Sequence, residues 1–362
     1  MSALVPRPGI LDIEAYVQGR SKLPGRERVI KLSSNEGALG PSPKALAAFQ
    51  AAGATMHRYP DGSAAALREA IGARYGLDPA RIVCGVGSDE LLYNLARAYA
   101  GPGDEIVHSH HGFNLYPIIA RSVGAVPVDA PEVDLTANVD NILAAVTART
   151  RIVYLANPNN PTGTYLPADA VKRLRAGLDP SILLVLDAAY AEYVVRNDYT
   201  PGVELVDAGD NVVMTRTFSK IYAMGGLRLG WAYLPESIAD VMNRLRAPFS
   251  VSNAAMAAGI AAVEDIDFFT ASRDHNAAWL PWLADRLAAL GLLATPAVAN
   301  FVLARFDGAA TAAAATQFLN GRGIIPRNTE SYHLPECIRI SIGREDEMRA
   351  VAGALAEFMD RK

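Results

Sequence analysis

The hydrophobic positions between residues 81 and 219 fall into short runs rich in Val, Ile and Leu, separated by longer mixed stretches. These runs lack the alternation of a half-buried strand, which indicates strands buried on both faces of a sheet. Strands that alternate with helices predict a mostly parallel α/β sheet. The predicted strands are 81–87, 104–109, 125–130, 151–157, 181–187 and 211–219, and the predicted helices are 88–100, 113–124, 139–148 and 168–178.

After about residue 245 the pattern changes to a long Ala-rich helical region followed by alternating strands and helices. This change predicts a smaller α+β domain. The helical regions are 252–290, 309–320 and 345–360, and the strand-like runs are 299–306, 323–327 and 337–343. We therefore expect three parts: an N-terminal arm or short helix at 1–30, a large domain at 31–245 and a small domain at 246–362.

Composition and charge exclude several classes of protein. The 362 residues are 51% hydrophobic and 20% charged, which is ordinary for a globular protein. The formal charge of −4 gives no basic excess that would favour nucleic acid or an anionic membrane. The N-terminus lacks a signal-peptide pattern, and no apolar run is long enough for a membrane helix. Cys84 and Cys337 lie in apolar runs, which indicates reduced, buried thiols. We expect a soluble, cytoplasmic protein.

Polar groups follow the predicted strands where a parallel sheet gathers its ligands, at the carboxyl edge. In GVGSDE (85–90), Ser88 is a candidate N-cap for a helix start that can hold a phosphate, although a simply capped helix fits as well. Glu90 occupies the sixth position, where a dinucleotide fingerprint needs Gly or Ala, so that motif is excluded. NPNNPTG (157–163) reads either as a tight turn or as a loop of the site.

The last two groups are LLVLDAAY (183–190) and TFSK (217–220). Asp187 ends a very apolar strand, where a buried carboxylate needs a partner that carries a proton. Lys220 can form a Schiff base with an aldehyde once its amine is desolvated. With Asp187 facing a pyridinium nitrogen, the set describes pyridoxal phosphate. Asn160 and Tyr190 can bond its ring oxygen, and Ser88, Thr217, Ser219 and Arg228 can hold its phosphate.

The order and spacing of these motifs resemble the fold-type I aminotransferases, and most closely the histidinol-phosphate aminotransferase branch of class II. The resemblance extends over nearly the whole chain. The matching stretches are LSSNEGALGPSP (32–43), RYPDG (58–62), GSDE, NPNNPTG, DAAY, SKIYAMGGLRLGW and RISIG. One departure is NEGALGPSP, where the family usually has a pattern like NENPLGPSP, so the entrance to the site is expected to differ.

The resemblance implies a role for each matching residue. Lys220 is the Schiff-base lysine and the base that moves the substrate proton, and Asp187 pairs with the ring nitrogen. Tyr59 reaches the cofactor phosphate of the partner subunit, which implies a homodimer, and Phe113 stacks on the ring where the family usually has a tyrosine. The remaining cofactor residues are Asn160 and Tyr190 at the ring oxygen and Ser88, Asp89, Thr217, Ser219 and Arg228 at the phosphate.

The substrate side follows from the same resemblance. Arg327 and Arg339 correspond to the pair that binds the anionic end of the substrate, with Tyr16 and Asn35 nearby. Two arginines suit a phosphate dianion, whereas one serves a carboxylate. The alternative interpretation of Arg339 is a charged residue at a strand edge that has no role in substrate binding. His57, His108, His110 and His111 have no metal-ligand spacing, so no metal is expected.

The expected reaction is transamination of L-histidinol phosphate with 2-oxoglutarate, which gives imidazole acetol phosphate and glutamate. The first alternative keeps the fold and cofactor but takes aromatic amino acids. The second is a threonine-phosphate decarboxylase, since similar decarboxylases retain the same cofactor residues. A cofactor-binding transcription regulator would need a helix-turn-helix, for which the arm before residue 30 leaves no room.

Overall fold

The computed structural model describes residues 4–361. Within this range the helices are α1 Pro43–Ala52, α2 Ala65–Tyr75, α3 Gly87–Tyr99, α4 Leu115–Val123, α5 Val139–Ala145, α6 Ala168–Gly177, α7 Val203–Ala208, α8 Glu236–Leu245, α9 Asn253–Glu264, α10 Ile266–Ala289, α11 Ala309–Gly321 and α12 Glu345–Asp360. The strands are β1 Ile30–Lys31, β2 Ile82–Gly85, β3 Glu105–Ser109, β4 Val126–Ala130, β5 Thr150–Ala156, β6 Leu183–Asp187, β7 Val212–Thr217, β8 Gly230–Tyr233, β9 Leu293–Ala294, β10 Phe301–Arg305, β11 Ile324–Ile325, β12 Arg327–Asn328 and β13 Cys337–Ser341.

A seven-stranded sheet in the order β2-β8-β7-β6-β5-β3-β4 forms the centre of the large domain. Every pairing is parallel except those of β8, which runs antiparallel to both β2 and β7. This confirms the α/β class and the mostly parallel sheet. The sequence pattern had not indicated β8, because that strand begins only two residues after Arg228 and carries no helix before it.

Both faces of this sheet are covered, as the unbroken apolar runs predict. On β6, Leu184 and Leu186 pack into the core on one face, while Leu183 and Val185 pack into the core on the other. Because the strand is buried on both sides, its position is fixed by packing along its whole length. Asp187 at its end is therefore held on a rigid support.

The small domain has a four-stranded antiparallel sheet in the order β12-β13-β10-β9, packed against α10, α11 and α12. The predicted Ala-rich helix at 252–290 is two helices, α9 and α10, separated at Asp265. The N-terminal arm has no regular helix over residues 4–29, and β1 then pairs in parallel with β11.

The domain limits at 31–245 and 246–362 stay a prediction. The packing favours a division after α9, because this helix packs against α1 and α2 and contributes Ala258 and Val263 to the core of the large domain. Leu32, in turn, lies in the core of the small domain. The chain thus crosses between the two parts more than once.

Candidate active site

Five strands of the large sheet end at one edge, and the residues singled out in the sequence end or follow them. Ser88 comes after β2, Phe113 after β3, Asn160 after β5, Asp187 ends β6 and Lys220 comes after β7. Arg228 reaches the same edge because β8, running the opposite way, begins there. The parallel topology thus brings residues that are far apart in sequence to one edge of the sheet.

Lys220 lies in this site and makes few polar contacts. Its Nζ donates to the carbonyl oxygen of Ser34 at 3.2 Å and lies 5.5 Å from the centre of the Tyr190 ring. Burial, and next the positive charge of Arg339, lower the pKa of Lys220 from 10.5 to about 8. About a tenth of the lysine is therefore the neutral, nucleophilic amine at pH 7, far more than for a lysine that titrates at 10.5.

Asp187 is only 5% exposed and is held by two hydroxyls. Tyr116 donates to Oδ2 at 2.9 Å and Thr215 donates to Oδ1 at 3.3 Å. The ring of Tyr116 is itself fixed by stacking on Tyr154, with centroids 4.8 Å apart. Burial raises the pKa of Asp187 from 3.8 to about 6, and no Lys, Arg or His in residues 4–361 forms an ion pair with it. Such a carboxylate fits a ligand that brings a positive charge.

The start of α3 can hold an anion. The structure corrects one detail here, since Ser88 is not the N-cap: the helix begins at Gly87, and Val86 precedes it without a side-chain cap. Gly87 has a φ of +79°, which lets the chain enter the helix one residue earlier. The first amides of α3 therefore remain available to a ligand.

Arg228 lies across this helix start. Its Nη1 donates to Ser219 Oγ at 3.3 Å, and its Nη2 donates to Asp89 Oδ2 at 3.1 Å. A Cβ on Gly87 would come within 2.4 Å of Nη2, so only glycine allows this approach. The backbone N–H of Ser219 bonds Thr217 Oγ1 at 3.1 Å, which fixes the turn before Lys220. The predicted phosphate-binding residues are thus gathered around one space.

Asn160 connects the large domain to the small domain. Arg339 Nη1 donates to its Oδ1, and its Nδ2 donates to Tyr332 Oη at 3.5 Å. Nearby, Asn35 Nδ2 donates to Tyr190 Oη at 2.9 Å, and Ser341 Oγ donates to Asn35 Oδ1 at 3.0 Å. Asn35 thus acts on the site through Tyr190 in this structure.

The two predicted substrate arginines lack a counter-charge. Arg327 is 7% exposed and Arg339 is 4% exposed, and neither forms an ion pair with a carboxylate anywhere in residues 4–361. Arg327 donates to the Val17 carbonyl at 2.8 Å, and Arg339 donates to the Ser33 carbonyl at 2.9 Å. Arg339 Nε has no hydrogen-bond partner among the described residues. Buried guanidinium groups without a carboxylate favour an anionic ligand.

The arm brings Tyr16 to this pair. Its ring meets that of Phe113 edge-on, with centroids 6.4 Å apart. Partial burial, and next the Tyr332 hydroxyl, raise the pKa of Tyr16 to about 12, while Arg327 and Arg339 act in the opposite direction. Tyr16 therefore contacts Phe113 and lies close to both arginines.

The remaining predicted residues lie outside this space. Tyr59 is 82% exposed and stacks on Phe249 with centroids 4.7 Å apart. His111 bonds Glu132 at 2.8 Å, while His108 and His110 both face Asp129 at 3.4 Å. Within the described part of the chain, no group of three or more His, Cys, Asp or Glu residues can hold a metal ion, and no helix is long and apolar enough to cross a membrane.

The side chains of the site fit a cofactor with an aldehyde, a basic ring nitrogen and a phosphate. Lys220 supplies the amine, Asp187 supplies the unpaired buried carboxylate, and the uncapped start of α3 with Arg228 supplies the anion site. Sequence reasoning missed Tyr116, Thr215 and Tyr332, because only tertiary packing brings them to Asp187 and Asn160. The fold and these residues define the class of fold-type I aminotransferases.

Comparison with known proteins gives the same class and a narrower family. The family model for aminotransferase class I and II matches residues 27–355. A histidinol-phosphate aminotransferase of Paramagnetospirillum magneticum is 62% identical and one of Rhodospirillum centenum is 58% identical, each over 99% of both chains. The crystal structure of histidinol-phosphate aminotransferase from Sinorhizobium meliloti in complex with pyridoxal-5'-phosphate has a TM-score of 0.90 at 30% identity, covering 99% of both chains. The chain belongs to the class I and II aminotransferases, in the histidinol-phosphate aminotransferase family, and is an enzyme.

Proposed function

We propose that the protein transfers the amino group of L-histidinol phosphate to 2-oxoglutarate, giving imidazole acetol phosphate and glutamate, with pyridoxal phosphate as cofactor. The observation that carries this proposal is the pair of buried arginines, Arg327 and Arg339, which face each other across β12 and β13 and form no ion pair with a carboxylate in residues 4–361. Arg339 is close enough to Lys220 to lower its pKa. Two guanidinium groups match the charge of a phosphate dianion. The activity named for the relatives is consistent with this choice.

The contacts of the site support the cofactor-binding residues that the sequence predicts. Lys220 would bind it covalently through Nζ, and Asp187 would face the ring nitrogen. Phe113 would stack on the ring, and Asn160 and Tyr190 would bond the ring oxygen. The phosphate would be held by the start of α3, at Ser88 and Asp89, with Thr217, Ser219 and Arg228.

When bound, pyridoxal phosphate supplies an aldehyde that captures amines and a ring that accepts electrons from the substrate carbon. Lys220 Nζ, with its pKa lowered to about 8, is suited to take the proton from the carbon that bears the substrate amine. Asp187 contributes a fixed negative charge, oriented by Tyr116 and Thr215. Arg327 and Arg339 bind the anionic end, so that the reacting carbon is held near Lys220.

We further propose a homodimer in which Tyr59 contacts the cofactor phosphate of the partner subunit. The segment 46–59 carries large exposed apolar side chains, with Leu46 at 48%, Phe49 at 38% and Met56 and Tyr59 at 82% exposure. Such a patch is typical of a protein interface. A cytoplasmic location also stays a prediction, which the free, buried thiols of Cys84 and Cys337 support.

The experiment is a comparison of kcat/KM for amino donors, with 2-oxoglutarate as acceptor and glutamate formation as the signal. We expect L-histidinol phosphate to exceed phenylalanine and tyrosine by at least about 100-fold, because only the phosphate pairs with both arginines. Equal values would make the enzyme an aromatic aminotransferase. Release of CO₂ from threonine phosphate without glutamate formation would instead indicate the decarboxylase.

A further inference from the structure

A tyrosine of the small domain, Tyr332, lies in the site although no sequence motif indicated it. Its side chain is 2% exposed, in the short 3₁₀ turn Glu330–Tyr332 that follows β12. The hydroxyl lies 3.5 Å from Asn160 Nδ2, and it is close enough to Tyr16 and Lys220 to influence the pKa of both. Tyr332 thus faces the same space as the two arginines.

The turn that carries Tyr332 is held at both ends. Thr329 Oγ1 lies 2.8 Å from the carbonyl oxygens of both Leu334 and Cys337, and Asn114 Nδ2 donates to the Ser331 carbonyl at 3.0 Å. On the other side, His333 stacks on His110 of the large domain, with centroids 5.4 Å apart. The Tyr332 ring is therefore placed by its surroundings before any ligand binds.

The hydrogen bonding of this hydroxyl is incomplete. An amide NH₂ can only donate, so the Tyr332 oxygen acts as the acceptor towards Asn160 and its own proton must point elsewhere. Among residues 4–361, the bond from Asn160 is the hydrogen bond that this hydroxyl makes, and it leaves the hydroxyl's own proton without an acceptor. Arg339 donates to the oxygen of the same Asn160 amide, and Arg327, Arg339 and Tyr332 all act on the pKa of Tyr16. The two guanidinium groups carry donors only. A buried donor without an acceptor, in a cluster that contains two guanidinium groups, fits an oxygen of an anionic ligand.

We propose that the Tyr332 hydroxyl is a third donor of the anion site and contacts the phosphate of the substrate. This inference rests on the proposed function and deepens it. A carboxylate has two oxygens, which Arg327 and Arg339 can satisfy, whereas a phosphate has three terminal oxygens and gains more from a third donor. Tyr332 is thereby a specificity-determining residue that favours phosphorylated amines over their unphosphorylated counterparts.

The test compares three cofactor-loaded proteins: the wild type, Tyr332→Phe and the control Tyr233→Phe. Phe retains the ring and removes one oxygen, so the unfolding temperature of Tyr332→Phe should match that of the wild type. Tyr233 is the matched control, because it is also buried and its hydroxyl bonds Asp207 on the distant α7. Each protein is assayed with L-histidinol phosphate and with L-histidinol, and is titrated with inorganic phosphate by calorimetry.

For Tyr332→Phe we expect kcat/KM to fall about tenfold with L-histidinol phosphate and less than about twofold with L-histidinol, as for loss of one bond to a charged group. The dissociation constant of inorganic phosphate should rise by about the same factor. Equal losses with both amines would mean that the hydroxyl acts on Asn160 or Lys220, and would overturn the proposal, as would unchanged phosphate binding. If the wild type rejects L-histidinol phosphate, the proposed function fails, while the phosphate titration still tests Tyr332 by itself.

Discussion

At the scale of single residues, burial acts in opposite directions on the two central groups of the site. It disfavours the charged form of each, so the pKa of Lys220 falls to about 8 and that of Asp187 rises to about 6. Both shifts cost stability in the protein without its cofactor. Each is of use to the chemistry, because a neutral amine is nucleophilic and an unpaired carboxylate attracts a protonated ring.

The charge of Asp187 can be tested with Asp187→Asn, which keeps the shape of the side chain. We expect the variant to retain bound cofactor, since Lys220 and Arg228 are unchanged, but to lose about 100-fold or more in kcat. Cofactor content is measured by absorbance after gel filtration, and kcat with L-histidinol phosphate. The control is Thr215→Val, which removes only one hydrogen bond to the carboxylate and should cost much less. A near-normal kcat in Asp187→Asn would mean that the negative charge has no catalytic role.

The lowered pKa of Lys220 predicts that the stability of the cofactor-free protein depends on pH. The unfolded lysine titrates near 10.5 and the folded one near 8, so between these values the unfolded state binds more protons. The contribution of Lys220 to the free energy of unfolding therefore rises as the pH increases from 8 to 10.5.

Lys220→Met removes that contribution. At pH 7 the variant should be more stable than the wild type by about 3 kcal/mol, and this difference should shrink towards pH 10. Urea unfolding at several pH values measures it. A difference that does not change with pH would contradict the lowered pKa.

At the scale of secondary structure, the sequence predicted most of what supports the site. The runs that became β2, β3, β5, β6 and β7 were found because strands buried on both faces leave a continuous apolar pattern. The short β8, the break at Asp265 between α9 and α10, and the true start of α3 at Gly87 were not found. These features depend on backbone conformation and on tertiary contacts, which the local pattern of hydrophobic and polar residues does not indicate.

The same limit applies to the site residues. Those in motifs at strand ends, such as Asp187 and Lys220, could be predicted because topology places strand ends together. Tyr116 and Tyr332 could not, since each reaches the site from an element whose sequence shows no special pattern.

The contact between β8 and the start of α3 gives a prediction for Gly230. A Cβ at this position would lie 2.2 Å from the backbone nitrogen of Ser88, so Gly230→Ala must displace the start of α3, the proposed phosphate site. We expect the affinity for pyridoxal phosphate to fall at least about tenfold, as measured by equilibrium titration of the cofactor-free protein. Gly353→Ala in α12 is the control, because a Cβ at that position would have no described atom within 4 Å beyond its own helix, and its affinity should be unchanged. Equal affinities of the two variants for pyridoxal phosphate would mean that the start of α3 does not bind the phosphate.

At the scale of the whole molecule, the proposed site draws its residues from three parts of the chain. The large sheet provides Lys220 and Asp187, the small domain provides Arg327 and Arg339, and the arm provides Tyr16. The arm is tied to the site directly, because Arg327 bonds the Val17 carbonyl. A substrate that pairs with the arginines therefore acts on the arm and on both domains together.

A fourth part would come from the partner subunit, which hybrid dimers can test. Chains carrying Lys220→Ala are mixed with chains carrying Tyr59→Ala, each of low activity alone. A hybrid dimer would contain one intact site, made of Lys220 from one chain and Tyr59 from the other. Mixing should restore about a quarter of the wild-type activity if chains pair at random. Mass spectrometry checks that the subunits have exchanged. If hybrid dimers are present but activity does not recover, Tyr59 does not act across the interface.

The most direct test of the central claim is a single half-reaction. Cofactor-loaded protein is mixed with L-histidinol phosphate in the absence of any keto acid, and the visible absorption of the Lys220-bound cofactor is followed. Loss of the band with one equivalent of imidazole acetol phosphate formed per site, far faster than with phenylalanine, is the predicted result. A band that stays unchanged with L-histidinol phosphate would contradict the account.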